Sequence, residues 1–181
     1  MSAAPAENTP VRVRDSAEDD LPAIAAIYRH HVMTGFGSFE ETAPDLEEIA
    51  RRRQGIVAVG LPYLVAEIDG AVRGFAYAAP YRTRSAYRHT VEDSIYVDPE
   101  AGDRGIGRAL LGQVIDICTD AGYRQMVAVI GDSANQASIR LHRGLGFADV
   151  GTLPAVGFKH GRWVDTVLMQ RALGDGGGMQ P

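Results

Sequence analysis

Hydrophobic and polar positions along this chain switch between two periods. Val11 to Arg14 alternates apolar and charged residues, the pattern of a short half-buried strand. Leu21, Ile24, Ala25, Ile27 and Tyr28 then fall on one helical face. Ser16 is placed to cap that helix, with Pro22 in its first turns or marking a later start. The stretch "MTGFGSFEETAP" breaks the pattern, and Asp45 to Gln54 reads as a second short helix. Tyr63 to Ile68 and Val72 to Ala79 read as strands joined at Asp69-Gly70, a strong hairpin signal. The polar, aromatic-rich "PYRTRSAYRHT" connects to a strand over Val91 to Val97. Gly105 to Ala121 is helical, ended by Gly122. Gln125 to Ile130 is an apolar strand of the buried kind. A helix over Asn135 to Leu145 stops at Gly146. The last strands are Phe147 to Val150, extending toward Phe158, and Trp163 to Gln170. This order predicts an α/β (α+β) fold: a mixed, mostly antiparallel sheet of about seven strands, with about four helices on both faces. The 91–131 strand–helix–strand unit is expected to be a parallel, right-handed crossover.

No repeat or linker interrupts the pattern, so residues 11–172 are expected to form one domain, with tails at 1–10 and 173–181. The length of 181 residues allows a substantial core. A net charge of -5, with basic residues scattered apart from Arg51-Arg52-Arg53, speaks against a nucleic-acid-binding face. No apolar run is long enough for a membrane span, and the first ten residues lack the features of a signal peptide. A cytoplasmic location is the default expectation. One cysteine, Cys118, excludes an internal disulfide and a multi-cysteine zinc site. It lies mid-helix among Val114, Ile115, Ile117 and Ala121 and reads as a core residue. No metal is expected.

The stretch "YVDPEAGDRGIGRALL" adds chemistry. Gly105 and Gly107 bracket one residue at a helix start and are flanked by Arg104 and Arg108. Glycines let backbone N–H groups approach a ligand, and a helix N-terminus favours an anion. The same glycines also suit a turn built only for tight packing. A dinucleotide fingerprint needs a third glycine where Leu110 stands, and a P-loop needs Gly-Lys-Ser/Thr. Neither is present.

The stretch Gly102–Gly107 resembles the acyl-CoA loop of the GNAT N-acetyltransferases, Gln/Arg-x-x-Gly-x-Gly/Ala, except that Gly102 stands where Gln or Arg is usual. "SANQASIRLHRGLGF" resembles the family's second cofactor segment, with Leu141-His142 in place of Leu-Tyr. "PYRTRSAYRHTVEDSIYV", "VAVIGDSANQASIRLH" and "VGFKHGRWVD" are similar to stretches of the phosphinothricin and methionine sulfone–sulfoximine acetyltransferases. The resemblance spans Val11 to Arg171. It implies the GNAT fold, acetyl-CoA as co-substrate, a small amino-acid-like acceptor and a homodimer. The implied cofactor contacts are Asp103, Arg104, Gly105, Ile106, Gly107 and Arg108 at the turn, Ile95, Tyr96 and Val97 along the pantetheine arm, and Asn135 nearby.

Acyl transfer needs a neutral amine, a polarised thioester carbonyl and a tolerated thiolate. An α-amine has a pKa near ~8, so a general base is useful. Glu92 and Asp93 are adjacent in a strand and point to opposite faces. The resemblance selects Glu92 as the base. An amide of Tyr96 or Val97, splayed at a bulge over Ile95 to Val97, is expected to polarise the carbonyl. Tyr96 also suits a wall of the acceptor pocket. His142 stands where relatives carry a tyrosine facing the thiolate, and a histidine can donate a proton at neutral pH. Arg84, with Arg82, is expected to bind the acceptor carboxylate, and Phe39 to cover the acceptor. Lys159, His160 and Trp163 form a further polar-aromatic cluster, serving the site, a dimer contact or the last hairpin. The alternatives are another small amine, a peptide N-terminus, or a non-catalytic acyl-CoA sensor.

Overall fold

The computed structural model describes residues 10–180, so the expected N-terminal tail lies, up to residue 9, outside the described residues. Among these, β1 (Arg12–Asp15), β2 (Tyr63–Ile68), β3 (Ala71–Pro80), β4 (Thr90–Val97), β5 (Gln125–Gly131), β6 (Ala148–Lys159) and β7 (Arg162–Ala172) form one sheet. Their order is β1-β2-β3-β4-β5-β7-β6. Only β4 and β5 pair in parallel. The helices are α1 (Leu21–Thr34), α2 (Leu46–Ala58), α3 (Ile106–Asp120) and α4 (Gln136–Gly144). The expected mixed α+β architecture is therefore present, with α3 connecting the parallel pair.

Two cores sandwich the sheet. On one face Ile24, Ile27 and Val32 of α1 and Ile49 of α2 pack on Tyr63, Val65 and Phe75. On the other, Leu110, Leu111, Val114 and Cys118 of α3 pack on Leu64, Ala66, Ala78 and Met126. Strand β2 sends alternate residues into each core, which explains why "YLVA" reads as an unbroken apolar run rather than an alternation. At the β2–β3 turn, Asp69 and Gly70 both take positive φ, 53° and 76°, as a two-residue hairpin of the tight kind requires.

Several boundaries differ from expectation. Ser16 does not cap α1; its Oγ accepts from Arg53 Nε at 2.7 Å, and a 3-10 turn over Glu18–Asp20 delays the helix to Leu21. Helix α2 begins after Asp45, whose carboxylate accepts from the Glu48 amide. It continues past Gln54 to Ala58 because Ile56 still has core to pack against. Strand β6 is one long edge strand with register shifts around Pro154, which cannot donate to a ladder. The expected C-terminal tail starts with a buried residue: Leu173 is 1% exposed, its amide bonds the Arg124 carbonyl, and Asp175 pairs with Arg124. No helix among the described residues is long and apolar enough to cross a membrane.

Candidate active site

Strands β4 and β5 pair from Thr90↔Gln125 to Asp93↔Ala128 and no further, although both continue, to Val97 and Gly131. Each keeps its other neighbour: β4 stays with β3, and β5 with β7. The parting opens a cavity of about 270 Å³. Ile95, Tyr96 and Val97 border it on one strand, and Val129 to Gly131 on the other. Asn135, Leu141 and His142 reach it from α4, and His31 from α1. The opening is thus a slot through the sheet, joining the two helical layers.

The predicted bulge is absent, since the β3–β4 register runs unbroken from Gly74↔Val97 to Pro80↔Val91. The backbone is instead exposed by the departure of β5. The Asp98 amide bonds the Arg73 carbonyl on β3. Alternation along an antiparallel strand then turns the amides of Ile95 and Val97 toward the slot and that of Tyr96 toward β3. This leaves Val97, with Ile95, as the amide candidates there. His31 Nε2 donates to the Val97 carbonyl at 2.8 Å, which fixes the proton on that nitrogen, and burial lowers the His31 pKa. The Tyr96 ring stacks on Phe75 and meets Tyr28 edge-on, 4.9 Å between centroids.

The glycine turn adjoins the slot. Gly105 takes φ 74°, which favours glycine, and no side chain caps the helix behind it. The first helical amide bond runs from Ala109 to the Gly105 carbonyl, leaving the preceding amides unpaired within the helix. A Cβ on Gly107 would lie 3.1 Å from Leu141 Cδ2 and 3.8 Å from Ile95 Cδ1, so Gly107 also serves close packing of α3 on α4. Asp103 and Arg104 are exposed, and Ile106 is buried in the core. Arg108 Nη1 donates to the Gly144 carbonyl at the end of α4. Asn135 borders the slot while its side chain accepts from the Ser138 amide, capping α4.

Glu92 and Asp93 point to opposite faces of β4, as strand parity requires. Glu92 is half-buried on the α1–α2 face. Burial raises its pKa, Asp93 adds to the rise, and Arg82 opposes it. Asp93 is buried on the other face, where Oδ2 lies 2.9 Å from His142 Nε2. His142 is itself only 2% exposed, and its Nδ1 donates to the Ser138 carbonyl at 2.8 Å. Burial lowers the His142 pKa, but the hydrogen bond and charge of Asp93 outweigh it and the net shift is upward. Burial pushes the Cys118 thiol up to about 12, which makes it a poor nucleophile.

Arg82 and Arg84 are exposed in the loop before β4; Arg82 lies over the Tyr81 ring, 4.8 Å from its centroid. Neither borders the slot, nor does Glu92. The 35–44 loop is held at several points. Glu40 accepts from Tyr28 Oη and from Arg52. The buried Lys159 Nζ donates to the Ser38 carbonyl at 2.6 Å. Phe39 lies against Gly131 and Gly157: a Cβ on Gly131 would approach its Cε1 to 2.9 Å, and one on Gly157 its Cδ2 to 2.7 Å. Phe36 packs under Arg162 and edge-on to His160. Lys159 and His160 therefore bind the last hairpin to this loop, while Trp163 is 64% exposed against Phe158.

The Acetyltransferase (GNAT) family profile matches residues 24–147. The chain belongs to the GNAT acetyltransferase family. This GNAT chain is 55% identical to a phosphinothricin N-acetyltransferase of Alcaligenes faecalis, over 91% of the chain and 83% of that protein. It is 39% identical to an L-methionine sulfoximine/L-methionine sulfone acetyltransferase of Salmonella typhimurium, over 90% and 94%. A crystal structure of a GNAT phosphinothricin acetyltransferase from Sinorhizobium meliloti, in complex with acetyl-CoA, superposes with a TM-score of 0.92 at 50% identity, covering 94% of this chain and 92% of that one.

Sequence reasoning missed three features of the GNAT site. The resemblance selects Glu92 over Asp93, yet Asp93 is the one of the two that borders the slot. The only signal for it was its place beside Glu92. His31 sits on an apolar helical face and carried no motif. The pairing of Gly131 and Gly157 with Phe39 depends on strands far apart in sequence.

Proposed function

We propose that this GNAT enzyme transfers acetyl from acetyl-CoA to the α-amine of a small amino-acid analogue of the phosphinothricin, methionine sulfone or methionine sulfoximine type, by direct attack in a ternary complex. The observation that carries the reading is the slot between β4 and β5, bordered by the buried Asp93–His142 pair, with the half-buried Glu92 next to Asp93 on the opposite face of β4. Acetyl-CoA supplies the acetyl thioester and a sulfur leaving group. The site fits it: the unpaired amides at the start of α3 suit a pyrophosphate, and the Ile95 and Val97 backbone, without a strand partner in the slot, suits an amide-bearing arm.

The chain's residues divide the work. Glu92 takes a proton from the acceptor ammonium, directly or through water, a contribution of roughly 10²–10⁴-fold for a general base. The Val97 amide donates to the acyl oxygen as negative charge develops there. His142 serves the sulfur side. Arg84, assisted by Arg82, grips the acceptor carboxylate in bidentate fashion. Phe39 and Tyr96 wall the acceptor. The buried, unreactive Cys118 supports direct attack over an acyl-cysteine route. The reading includes a homodimer, a cytoplasmic setting and a detoxifying role.

The test is release of free CoA thiol with a panel of phosphinothricin, methionine sulfone, methionine sulfoximine, ordinary amino acids, their amides and a short peptide. Turnover should favour the free acids. Arg84→Ala should raise the acceptor KM with little change for acetyl-CoA. Losing a charge-assisted hydrogen bond costs about 1.5–3 kcal/mol, or roughly 10- to 150-fold in kcat/KM. Equal losses for acid and amide would remove the arginine from carboxylate recognition. Acetyl-CoA binding without turnover of any amine would point to a sensor, and preference for the peptide to an N-terminal acceptor.

A further inference from the structure

His31 takes no part in the chemistry assigned to Glu92 and Val97, yet α1 carries it to the rim of the slot. Where β4 and β5 pair, the edge of β4 finds its hydrogen-bond partners on β5. Beyond Asp93↔Ala128 that ladder ends. Ile95 and Val97 still turn their N–H and C=O groups to that side. A backbone carbonyl left without a donor is costly away from bulk water. At Val97 the donor comes from a different element: His31 Nε2 reaches the carbonyl from α1 at 2.8 Å, across 66 residues of sequence. The His31 ring is half-buried and tilted against Tyr96, 5.4 Å between centroids, so packing directs its reach. The peptide it holds is the last of β4. On the opposite edge the N–H of that peptide, the Asp98 amide, bonds the Arg73 carbonyl of β3 at 2.9 Å. The Asp98 carboxylate extends the frame. One oxygen accepts from Arg73 Nη1 at 2.8 Å and the other from the Glu100 amide at 3.0 Å. The second bond caps the 3-10 turn Pro99–Ala101, which leads into the glycine turn and α3. The slot edge and the glycine turn therefore meet at one peptide, and His31 holds its open side.

We propose that His31 is a positioning residue: it stands in for the strand partner that β5 withholds from Val97, and so sets the register in which the cofactor arm lies on β4. This rests on the acetyl-CoA site proposed above. With the Val97 carbonyl taken by His31, the open edge offers an amide-bearing chain two donors, the Ile95 and Val97 N–H groups. It offers one free acceptor, the Ile95 carbonyl. A chain that must satisfy an N–H group of its own then has one register to choose. A second free carbonyl, at Val97, would admit another register two residues along the strand, a displacement of about 6–7 Å. Misplacement by even about 1 Å can cost roughly 10²-fold in rate, so excluding that register matters to the reaction. Donation needs only a hydrogen on Nε2, which the neutral Nε2–H ring and the imidazolium both carry. The role is thus one of geometry and not of charge.

The test separates the hydrogen bond from the bulk of the ring. H31F keeps an aromatic ring beside Tyr96 and removes the donor, whereas H31Q carries an amide N–H that can still reach the carbonyl. Calorimetry with CoA needs no turnover. Affinity should fall roughly tenfold or more in H31F and stay within about threefold of wild type in H31Q, the difference being one donor to a carbonyl otherwise left unpaired. At saturating acetyl-CoA, kcat should fall in H31F and recover in H31Q, while the acceptor KM holds in both. H31F with wild-type CoA affinity overturns the proposal, even where its melting temperature drops, because His31 would then only tie α1 to β4. H31Q as impaired as H31F overturns it too. Should H31F fail to fold, the wild-type protein decides. In 15N NMR of histidine-labelled protein, with His31 assigned by H31Q, the ring should carry hydrogen on Nε2 both without CoA and with it. A ring with hydrogen on Nδ1 alone in either state overturns the proposal. Absence of CoA binding by the wild-type protein would instead refute the cofactor site, leaving the NMR of the free protein to judge the His31 bond alone.

Discussion

Glu92 shows what one half-buried carboxyl does to both stability and chemistry. Burial raises its pKa, and the neighbouring charge of Asp93 raises it further. For the base proposed above, the shift is toward working pH, where proton abstraction is most effective. It also costs stability. The folded state binds the Glu92 proton more tightly than the unfolded chain does, so the penalty is absent below the ordinary carboxylate pKa. The penalty grows as pH rises toward the elevated folded value and is full above it. Glu92→Gln should therefore lower kcat by roughly 10²-fold or more while raising the melting temperature at pH 7 to 8. The gain should disappear below about pH 4, where the carboxyl is protonated in both states. Calorimetry across pH, alongside the thiol assay, checks both halves; a variant less stable than wild type at every pH would show that Glu92 is held by favourable contacts instead. The two acids were legible in the sequence, and parity placed them on opposite faces. That a slot opens next to them depends on β5 leaving β4 at Ala128. Nothing in the local sequence records that parting.

At the scale of elements, the 35–44 loop is held by the molecule around it. Its Glu40 and Ser38 join Tyr28 of α1, Arg52 of α2 and Lys159 at the end of β6. Phe39 fits only because residues 131 and 157 have no Cβ. A methyl group on Gly131 would meet the Phe36 carbonyl as well as the Phe39 ring, and the carbonyl is backbone that cannot rotate away. Gly131→Ala should shift the loop and cost about 1–3 kcal/mol, as overpacking does. It should raise the acceptor KM more than tenfold while leaving acetyl-CoA binding at the glycine turn nearly intact. Parallel losses for both substrates would mean that the end of β5, not the loop, is what the substitution disturbs. The elements themselves were largely readable. Hydrophobic period, Asp69-Gly70, Asp45 and Gly122 fix local geometry through short-range physics, and the expected strands and helices are all present. The misplacements fall where tertiary partners decide. Ser16 is taken by Arg53, and α2 runs on to pack Ile56.

At the scale of the whole molecule, the long edge of the sheet is left unpaired among the described residues. Strand β6 is one of the two edge strands of the sheet, twelve residues long where β1 at the other edge has four, and exposed over most of its length. It carries Val150, Leu153, Val156 and Phe158 at 46–60% exposure, and Trp163 of β7 pairs with Phe158 in register. Long apolar edges invite pairing with another chain unless they are covered, and Phe158 and Trp163 already hold each other edge-on, 5.3 Å between centroids, ready to bury as a unit. A two-fold contact along this edge would cover the patch on both copies with the same residues. Light scattering at micromolar concentration should therefore return about twice the chain mass of 19.4 kDa. Phe158→Glu with Trp163→Ala should return the single-chain mass with the far-ultraviolet circular dichroism unchanged. The hairpin that bears these residues also carries Lys159, which holds the 35–44 loop through Ser38. Separation of the dimer should then loosen the acceptor side first. We expect the double variant to show an acceptor KM raised severalfold and an unchanged acetyl-CoA affinity, since the glycine turn and α3 lie on the far side of β4 and β5. A wild-type protein that stays monomeric at tens of micromolar would refute the dimer, and a monomeric variant with wild-type KM would uncouple the edge from the acceptor loop.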